Sequence, residues 1–433
     1  LITQTQLKML DMGLALGMDF GTSGARAIML DIADAIAINP DRAIVAQATC
    51  TYNRQHPQVW KTSLFSLLEQ LPLDCRQQIK RILINGTSAT VLFCDEQGEA
   101  IAPPLMYNDD RGKAMIPQIQ GFAPADHLVL SATSSLAKLL WGLENLSLDG
   151  SIYFLHQADW LASLLHGQLG ISDYHNALKL GYDVQNLCYP DWFPQLPNHL
   201  TLPKVYTPGE AIAPILPQIA QQFSLPPDCL ICAGTTDSIA AFIASGASIP
   251  GDGVTSLGST LALKLLSETP VNNSQYGIYS HRFGDRWLVG GASNTGGAVL
   301  RHFFSDVELE TLSSQINPNP ESPLDYYPLL KKGDRFPIND PNLLPRLDPR
   351  PEDPIQFLHG LLQGIARIEA LGYQRLSELG ATPLQRLYTA GGGAKSNTWS
   401  QIRQTYLSVP FLTPISPLAA YGSARLALKF ISE

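Results

Sequence analysis

Paired cysteines, clustered basic residues and long apolar runs are all missing from this chain. Its six cysteines (Cys50, Cys75, Cys94, Cys188, Cys229, Cys232) are scattered over 433 residues. Cys229 and Cys232 have CxxC spacing but lie in an apolar, strand-like run with no second pair nearby. That pattern reads as buried thiols in a reducing compartment rather than as a zinc or redox site. Lys and Arg total 29 against 38 Asp and Glu, a formal net charge of -9, which argues against a general nucleic-acid surface. A nucleotide held by backbone amides and a metal ion remains compatible with that charge. No apolar run is long enough to span a bilayer. The expected location is cytoplasmic, or a plastid stroma if the N-terminus is processed. The first dozen residues begin with Leu1 rather than Met and are set aside from fold reasoning. What remains is ordinary globular material, 45% hydrophobic and 15% charged, with length enough for roughly two to three domains.

The organising stretch runs from Leu14 to Asp31. Leu14, Leu16 and Met18 alternate as a first strand, and Ala27 to Leu30 supply a second. Asp19 closes the first strand. Gly21, Thr22, Ser23 and Gly24 form a turn small enough for a polyanion to approach the backbone. Their N–H groups and hydroxyls can meet phosphate oxygens, and Asp19 can hold magnesium directly or through water. Taken alone, the same residues also describe a tight hairpin with an acidic tip.

Further along, Ala43 to Thr51 reads as a third strand and Gln58 to Leu71 as a helix. Arg81 to Asn85 reads as a fourth strand running into Gly86-Thr87-Ser88-Ala89-Thr90. Val91–Cys94 and Ala100–Met106 look like a hairpin. Tyr107-Asn-Asp109-Asp-Arg111 follows, placing carboxylates and a guanidinium after a strand end, where ligand groups gather in open α/β sheets. A solvated charged loop is the plain alternative. Ser134 to Glu144 and Gln157 to His166 have helical spacing, and Asp173 to Asn176 falls in a polar, turn-rich stretch. The second half is expected to open with a strand at Asp228 to Ala233, ending in Gly234-Thr-Thr-Asp237-Ser238. Asp237 then stands at a helix start, where the helix dipole also favours an acid.

Gly253 to Gly258 and Leu261 to Leu266, joined by Gly258-Ser259-Thr260, echo the opening hairpin and suggest an internal duplication. Trp287 to Gly291 leads into Ser293-Asn-Thr-Gly-Gly297. Asn317 to Pro354 should be mostly loop, and Gln356 to Leu379 should be the longest helix. Arg386 to Thr389 delivers Gly391-Gly392-Gly393-Ala-Lys-Ser-Asn397 ahead of another helix. A strand, glycine loop and helix in that order suit a phosphate or nucleoside, or form a plain turn.

In this order the motifs resemble the FGGY family of carbohydrate kinases, within the actin-like, ribonuclease-H-like ATPase superfamily. Asp19-Phe-Gly-Thr-Ser23 resembles the family's first phosphate motif. Ser256-Leu-Gly-Ser-Thr260 resembles the second, with Ser259 where threonine is common. Tyr107 to Arg111 resembles the sugar-side W-x-D-x-R segment, with Tyr107 in place of Trp. Gly234-Thr-Thr-Asp237 resembles the segment that holds the catalytic aspartate. Gly391 to Asn397, followed by Trp399 and Gln401, resembles the adenosine motif. The matches span Asp19 to about Gly422.

The resemblance implies an α/β fold of two actin-like domains with a cleft between them. A sugar-binding domain is expected over residues 14–228 and a nucleotide-binding domain over 229–414, with the last helix, 415–433, packing back on the first. Asp237 would be the general base, and Asp19 a second catalytic residue that orients magnesium and touches the sugar. Other expected sugar contacts are Ser23, Gly24, Arg26, Thr87, Ser88, Asp109 and Arg111. ATP contacts are expected at Gly21, Thr22, Ser23, Gly258, Ser259, Thr260, Gly297, Gly391, Gly392, Gly393 and Asn397. The implied ligands are ATP, Mg2+ and a small sugar, with no nucleic acid and no membrane; oligomeric state is not legible. The Gly86 to Thr90 loop lacks the Arg-Glu pair of glycerol kinases and the Met-His pair of xylulose kinases. The expected substrate is therefore D-ribulose before D-xylulose, phosphorylated at the terminal hydroxyl to the 5-phosphate. An actin- or chaperone-like ATPase is the competing class. It keeps both hairpins but needs no segment like Tyr107 to Arg111.

Overall fold

The computed structural model describes residues 13–36, 43–319 and 321–428; the first dozen residues, set aside above, lie outside that range. The chain forms two compact units. One runs to Ala244 and resumes at Leu418, and the other spans Ser245–Pro417. The strands are β1 (Leu14–Phe20), β2 (Gly24–Asp31), β3 (Ile44–Thr51), β4 (Ile79–Gly86), β5 (Val91–Cys94), β6 (Ile152–His156), β7 (Ile171–Asp173), β8 (Leu200–Thr201), β9 (Lys204–Tyr206), β10 (Ala211–Pro214) and β11 (Leu230–Thr236) in the first unit. The second unit holds β12 (Asp252–Leu257), β13 (Leu261–Ser267), β14 (Tyr279–Phe283), β15 (Arg286–Ser293), β16 (Arg386–Ala390) and β17 (Phe411–Leu412).

In the first unit the main sheet has the order β10-β11-β4-β1-β2-β3. Strand alternation sends Leu14, Leu16, Met18 and Phe20 of β1 to one face, where they join Trp60, Leu64, Leu67 and Leu68 of the helix Pro57–Gln70 in a single core. The helix Ala419–Ala427 lies on the other face. Gly17 lets it come close, because a Cβ there would fall 2.1 Å from the Ala420 carbonyl oxygen. Gly422 does the same on the helix's far side, since its Cβ would fall 1.8 Å from the Ala240 carbonyl oxygen. Asn85 Nδ2 donates to Ser423 Oγ at 2.7 Å and ties the same helix to β4.

Two sequence expectations are corrected in this unit. A domain boundary at 228/229 is wrong because β11 completes the first sheet, pairing parallel with β4 and antiparallel with β10; the division falls after Ala244. The expected hairpin partner of β5, Ala100 to Met106, touches it only at two isolated bridges, Val91–Leu105 and Cys94–Ala100. Pro103 and Pro104 cannot donate to a ladder, and β6 pairs along β5 instead.

The second unit's sheet has the order β14-β15-β13-β12-β16-β17. Read outward from β1 and from β12, the two sheets repeat one succession. Each has an antiparallel hairpin partner and a further antiparallel strand on one side, and parallel strands on the other. The helix Pro354–Glu378 covers this sheet, burying Phe357, Leu361, Ile365 and Ile368. Asp353 caps it by accepting from the Ile355 amide at 2.9 Å. Between Asn317 and Pro354 the chain is irregular, with bridges at Tyr327–Arg346 and Asp334–Asp340. Among the described residues no helix is long and apolar enough to cross a membrane.

Candidate active site

Parallel pairing brings the carboxyl ends of β1, β4 and β11 side by side. The register sets Asp19 beside Asn85 and Asn85 beside Thr235. Asp237 opens the next helix, Asp237–Ser245, two residues beyond Thr235. The Ser238 amide donates to Asp237 Oδ1 at 2.7 Å and orients the carboxylate. Asp19 is half-buried. Burial, and then the charge of Asp237, push its carboxyl up to about 7, while Arg26, its register partner on β2, pulls the other way. Asp19 and Asp237 therefore share one electrostatic environment, the pattern expected where an acid-base or metal task is performed.

The turn after β1 is built from behind. Tyr52 Oη donates to the Gly21 carbonyl at 2.6 Å, and the Tyr52 amide donates to the Ser23 carbonyl at 3.2 Å. Gln55 Nε2 donates to the Thr22 carbonyl, and Gln55 is itself held by Trp60 Nε1, which donates to its Oε1 at 2.8 Å. With three successive carbonyls occupied, the exposed groups of the turn are the hydroxyls of Thr22 and Ser23. Gly24 is obligatory for a different reason: a Cβ there would meet the Cys50 carbonyl oxygen at 2.5 Å.

The Gly86 to Thr90 loop follows β4. Thr87, expected to bind sugar, is buried, and its hydroxyl is used inside the protein. Its Oγ1 lies 2.6 Å from Thr90 Oγ1 and donates to Gln157 Oε1 at 3.0 Å, which also accepts from the Thr87 amide at 3.0 Å. Through these bonds Thr87 shapes the loop. Ser88 is half-buried and makes no hydrogen bond within the described residues, so it is the hydroxyl the loop presents. Asp109 and Arg111 form a two-pronged pair, with Arg111 Nε 3.0 Å from Asp109 Oδ1 and Nη2 2.6 Å from Oδ2. The guanidinium stacks 4.5 Å from the Trp141 ring centroid. Burial raises the Asp109 carboxyl, but the hydrogen bonds and charge of Arg111 outweigh it and hold the group below its ordinary value. Tyr107 stands exposed beside them.

The expected ATP contacts other than Gly21, Thr22 and Ser23 lie in the second unit. β12 and β16 are parallel, with Ser256 beside Ala390, so the Gly258 to Thr260 turn and the Gly391 to Gly393 loop emerge together. Gly391 has φ +84, and a Cβ there would fall 2.7 Å from the Leu257 carbonyl oxygen. Gly392 has open space around it. The Gly297 amide, opening the helix Gly297–Phe303, donates to the Gly258 carbonyl at 2.9 Å, and the Ala298 amide to the Ser259 carbonyl at 3.0 Å. Asn397 is exposed at the first turn of Asn397–Leu407, whose cap is the Ser396 side chain, accepting from the Trp399 amide at 3.2 Å.

Beneath these loops lies a buried ion pair. Arg403 donates to both Glu369 oxygens at 2.7 Å and to Thr389 Oγ1 at 2.9 Å. Thr255, the register partner of Thr389, donates to Glu369 as well. Buried Asp334 plays a similar part under the 293–297 segment, accepting from Ser293 Oγ, the Asn294 amide at 2.7 Å and Tyr327 Oη at 2.6 Å.

Sequence reasoning missed Lys138, Glu369, Arg403 and Asp334, all fully or nearly buried. For Lys138 the available signal was a charge between Ala137 and Leu139, inside an apolar helical stretch. It also took Asp173 to Asn176 for a polar turn. They are buried: Asp173 accepts from the His175 and Asn176 amides at 2.8 and 3.0 Å, and His175 Nδ1 lies 2.7 Å from Thr235 Oγ1, just before Asp237. Among the described residues no cluster of three or more His, Cys, Asp or Glu could hold a metal by itself.

Residues 14–244 match the N-terminal domain of the FGGY family of carbohydrate kinases, and residues 253–429 match its C-terminal domain. A xylulose kinase from Klebsiella pneumoniae is 21% identical over 95% of this chain and 89% of its own length. A ribulokinase from Halalkalibacterium halodurans is 24% identical over 58% of this chain and 53% of its own. Among solved structures, a xylulose kinase from Brucella ovis superposes with a TM-score of 0.83 at 21% identity, covering 97% of this chain and 90% of that one. A glycerol kinase from Plasmodium falciparum with ADP has a TM-score of 0.81 at 16% identity, covering 96% and 89%.

Proposed function

This chain belongs to the FGGY family of carbohydrate kinases, ATP-dependent phosphotransferases, and from that premise we propose that it transfers the γ-phosphate of ATP to the terminal hydroxyl of a ketopentose, D-ribulose before D-xylulose. The observation that carries the reading is the electrostatic coupling of Asp19 and Asp237, which stand beyond the carboxyl ends of the two strands flanking β4, with the small uncharged loop that follows β4 between those strands. Phosphoryl transfer needs positioning and charge neutralisation more than covalent chemistry. Asp237, oriented by the Ser238 amide, accepts the proton of the attacking hydroxyl. Asp19 lies close enough to raise the local negative charge and to bind a neighbouring sugar hydroxyl. Thr22, Ser23, the Gly258 to Thr260 turn and the Gly391 to Gly393 loop offer hydroxyls and glycine backbone to phosphates and nucleoside.

The residues suit magnesium. A hard, water-rich cation needs only one or two carboxylates beside phosphate oxygens, and Asp19 is a carboxylate whose raised pKa a cation would lower. When bound, the ion supplies neutralisation of phosphate charge.

Support for the substrate comes from the Gly86 to Thr90 loop. It presents one small hydroxyl, Ser88, and no charge, which disfavours a carboxylated sugar. It also lacks the residue pairs noted above for glycerol and xylulose kinases. D-Xylulose is kept as the second substrate because relatives named xylulose kinase match most of the chain. The test is coupled ADP release with D-ribulose, L-ribulose, D-xylulose, L-xylulose, gluconate and glycerol. The expected result is highest kcat/KM for D-ribulose. A higher value for any other sugar refutes the substrate, and ATP hydrolysis indifferent to every sugar refutes the kinase reading.

A further inference from the structure

Lys138 is fully buried in the helix Ser135–Asn145, a place lysine almost never occupies unless paired. Among the described residues no carboxylate forms a salt bridge with it. Its Nζ donates to two backbone carbonyls, Ala89 at 2.7 Å and Met106 at 2.6 Å. Those carbonyls belong to the two sugar-side segments. Ala89 follows Ser88, and Met106 precedes Tyr107. Ala89 has φ +62, a left-handed conformation that a residue with a Cβ adopts at a cost.

The rest of the loop is pinned by other groups. Gln157 holds the Thr87 amide and hydroxyl, and Thr90 Oγ1 accepts from the Tyr107 amide at 3.0 Å. The ammonium therefore joins two segments that are distant in sequence and holds the one strained residue between Ser88 and Thr90. Burial pushes the amine down to about 7, and the charge of Asp109 opposes that shift.

We propose that Lys138 is a positioning residue of the sugar subsite, clamping the carbonyls of Ala89 and Met106 so that Ser88 and the Tyr107 to Arg111 segment meet one sugar molecule together. The inference rests on the kinase reading above. It predicts that loss of the clamp falls on the sugar and spares the nucleotide.

The test compares wild type, Lys138→Met and Lys138→Met/Ala89→Gly on the best sugar found in the panel, whichever that is. Losing a charged donor to two carbonyls should raise the sugar KM about 10- to 100-fold, with the ATP KM and the Kd for ADP within about twofold. Glycine takes φ +62 without steric cost, so adding Ala89→Gly should recover part of the lost sugar affinity. Should Lys138→Met fail to fold, Lys138→Arg carries the same comparison, since its planar fork cannot place one nitrogen between both carbonyls. An unchanged sugar KM, equal rises for sugar and ATP, or no recovery in the double variant overturns the inference while the kinase reading stands. A wild-type protein that phosphorylates no sugar overturns the kinase reading and the inference with it.

Discussion

The two units build the same succession of strands and put opposite chemistry at its end. In the first, a half-buried carboxylate, Asp19, stands at a strand end within reach of a second acid's charge. Asp19 is pushed to about 7 by burial and by Asp237, and a buried lysine nearby contacts carbonyls rather than an acid. In the second, the strand ends carry glycine backbone, and the charges lie beneath it, fully paired, in Glu369 and Arg403. One sheet keeps its electrostatic frustration at the proposed catalytic acids, and the other uses its charges to hold a shape. The contrast follows from what each ligand needs. A hydroxyl must lose a proton, whereas a polyanion must meet amides at close range.

The largest effect should come from removing the two acids of the first unit. Asp237→Asn is expected to lower kcat ~10²–10⁴-fold, as loss of a general base does, with ADP affinity nearly unchanged. Turnover near wild type would dissolve the contrast, because the first unit would then hold no essential acid. Asp19→Asn should also inactivate while stabilising the protein. The folded-state pKa of Asp19 is raised to about 7 from 3.8, so the folded state binds the proton more tightly than the unfolded chain. Its contribution is fully present below pH 4 and is lost as pH rises to 7. Asparagine resembles the protonated form and escapes that loss. Without magnesium or nucleotide, urea unfolding should show a gain on the order of 1 kcal/mol or more for Asp19→Asn at pH 8, growing between pH 4 and 7 and flat above. A loss of stability at pH 8 would mean that Asp19 is not frustrated.

The second unit should answer in the other direction. Arg403→Met leaves Glu369 buried without its partner, which should cost roughly 3–5 kcal/mol. Glu369→Leu in the same chain should return most of it. If the pair sets the loops above it, the double variant should raise the KM for ATP and leave the sugar KM unchanged. A double variant as unstable as the single one would show that the pair contributes stability beyond its own charges.

What could be read in advance divides along the same physical line. The Leu14 to Asp31 hairpin, the glycine turns and the positions of Asp19 and Asp237 are local features, set by alternation, turn residues and helix starts within about twenty residues, and they stand where expected. The Asp228 to Ala233 run was also recognised as a strand, but not its sheet. A parallel strand finds its neighbour through a distant crossover, and nothing near β11 says that β4 is beside it. The internal bonds of Thr87 are not legible, because a hydroxyl in such a loop looks the same in sequence whether or not it meets Gln157. The roles of Lys138, Glu369, Arg403 and Asp334 are not legible for one reason. Each has partners far along the chain, so its neighbours in sequence can show at most that a charge sits among apolar residues, as at Lys138, and not what that charge holds.

The smallest expected effect tests where frustration ends. Arg111 belongs to the first unit but is paired, as the charges of the second are. It meets Asp109 with two prongs, and its side chain is 47% exposed. Exposed pairs are weak, because water screens them and ordering two side chains costs entropy. Its distinct features are planarity and the stack on Trp141, and lysine can reproduce neither. Arg111→Lys should therefore raise the sugar KM only about 3- to 10-fold, the range of an exposed cation–π contact and one lost hydrogen bond. Neither kcat nor the ATP KM should move. Steady-state kinetics at low and high salt would check this, with the difference between wild type and variant shrinking as salt rises. A fall in kcat would place Arg111 on the transferring phosphate and move it from the paired charges of the molecule to the frustrated ones.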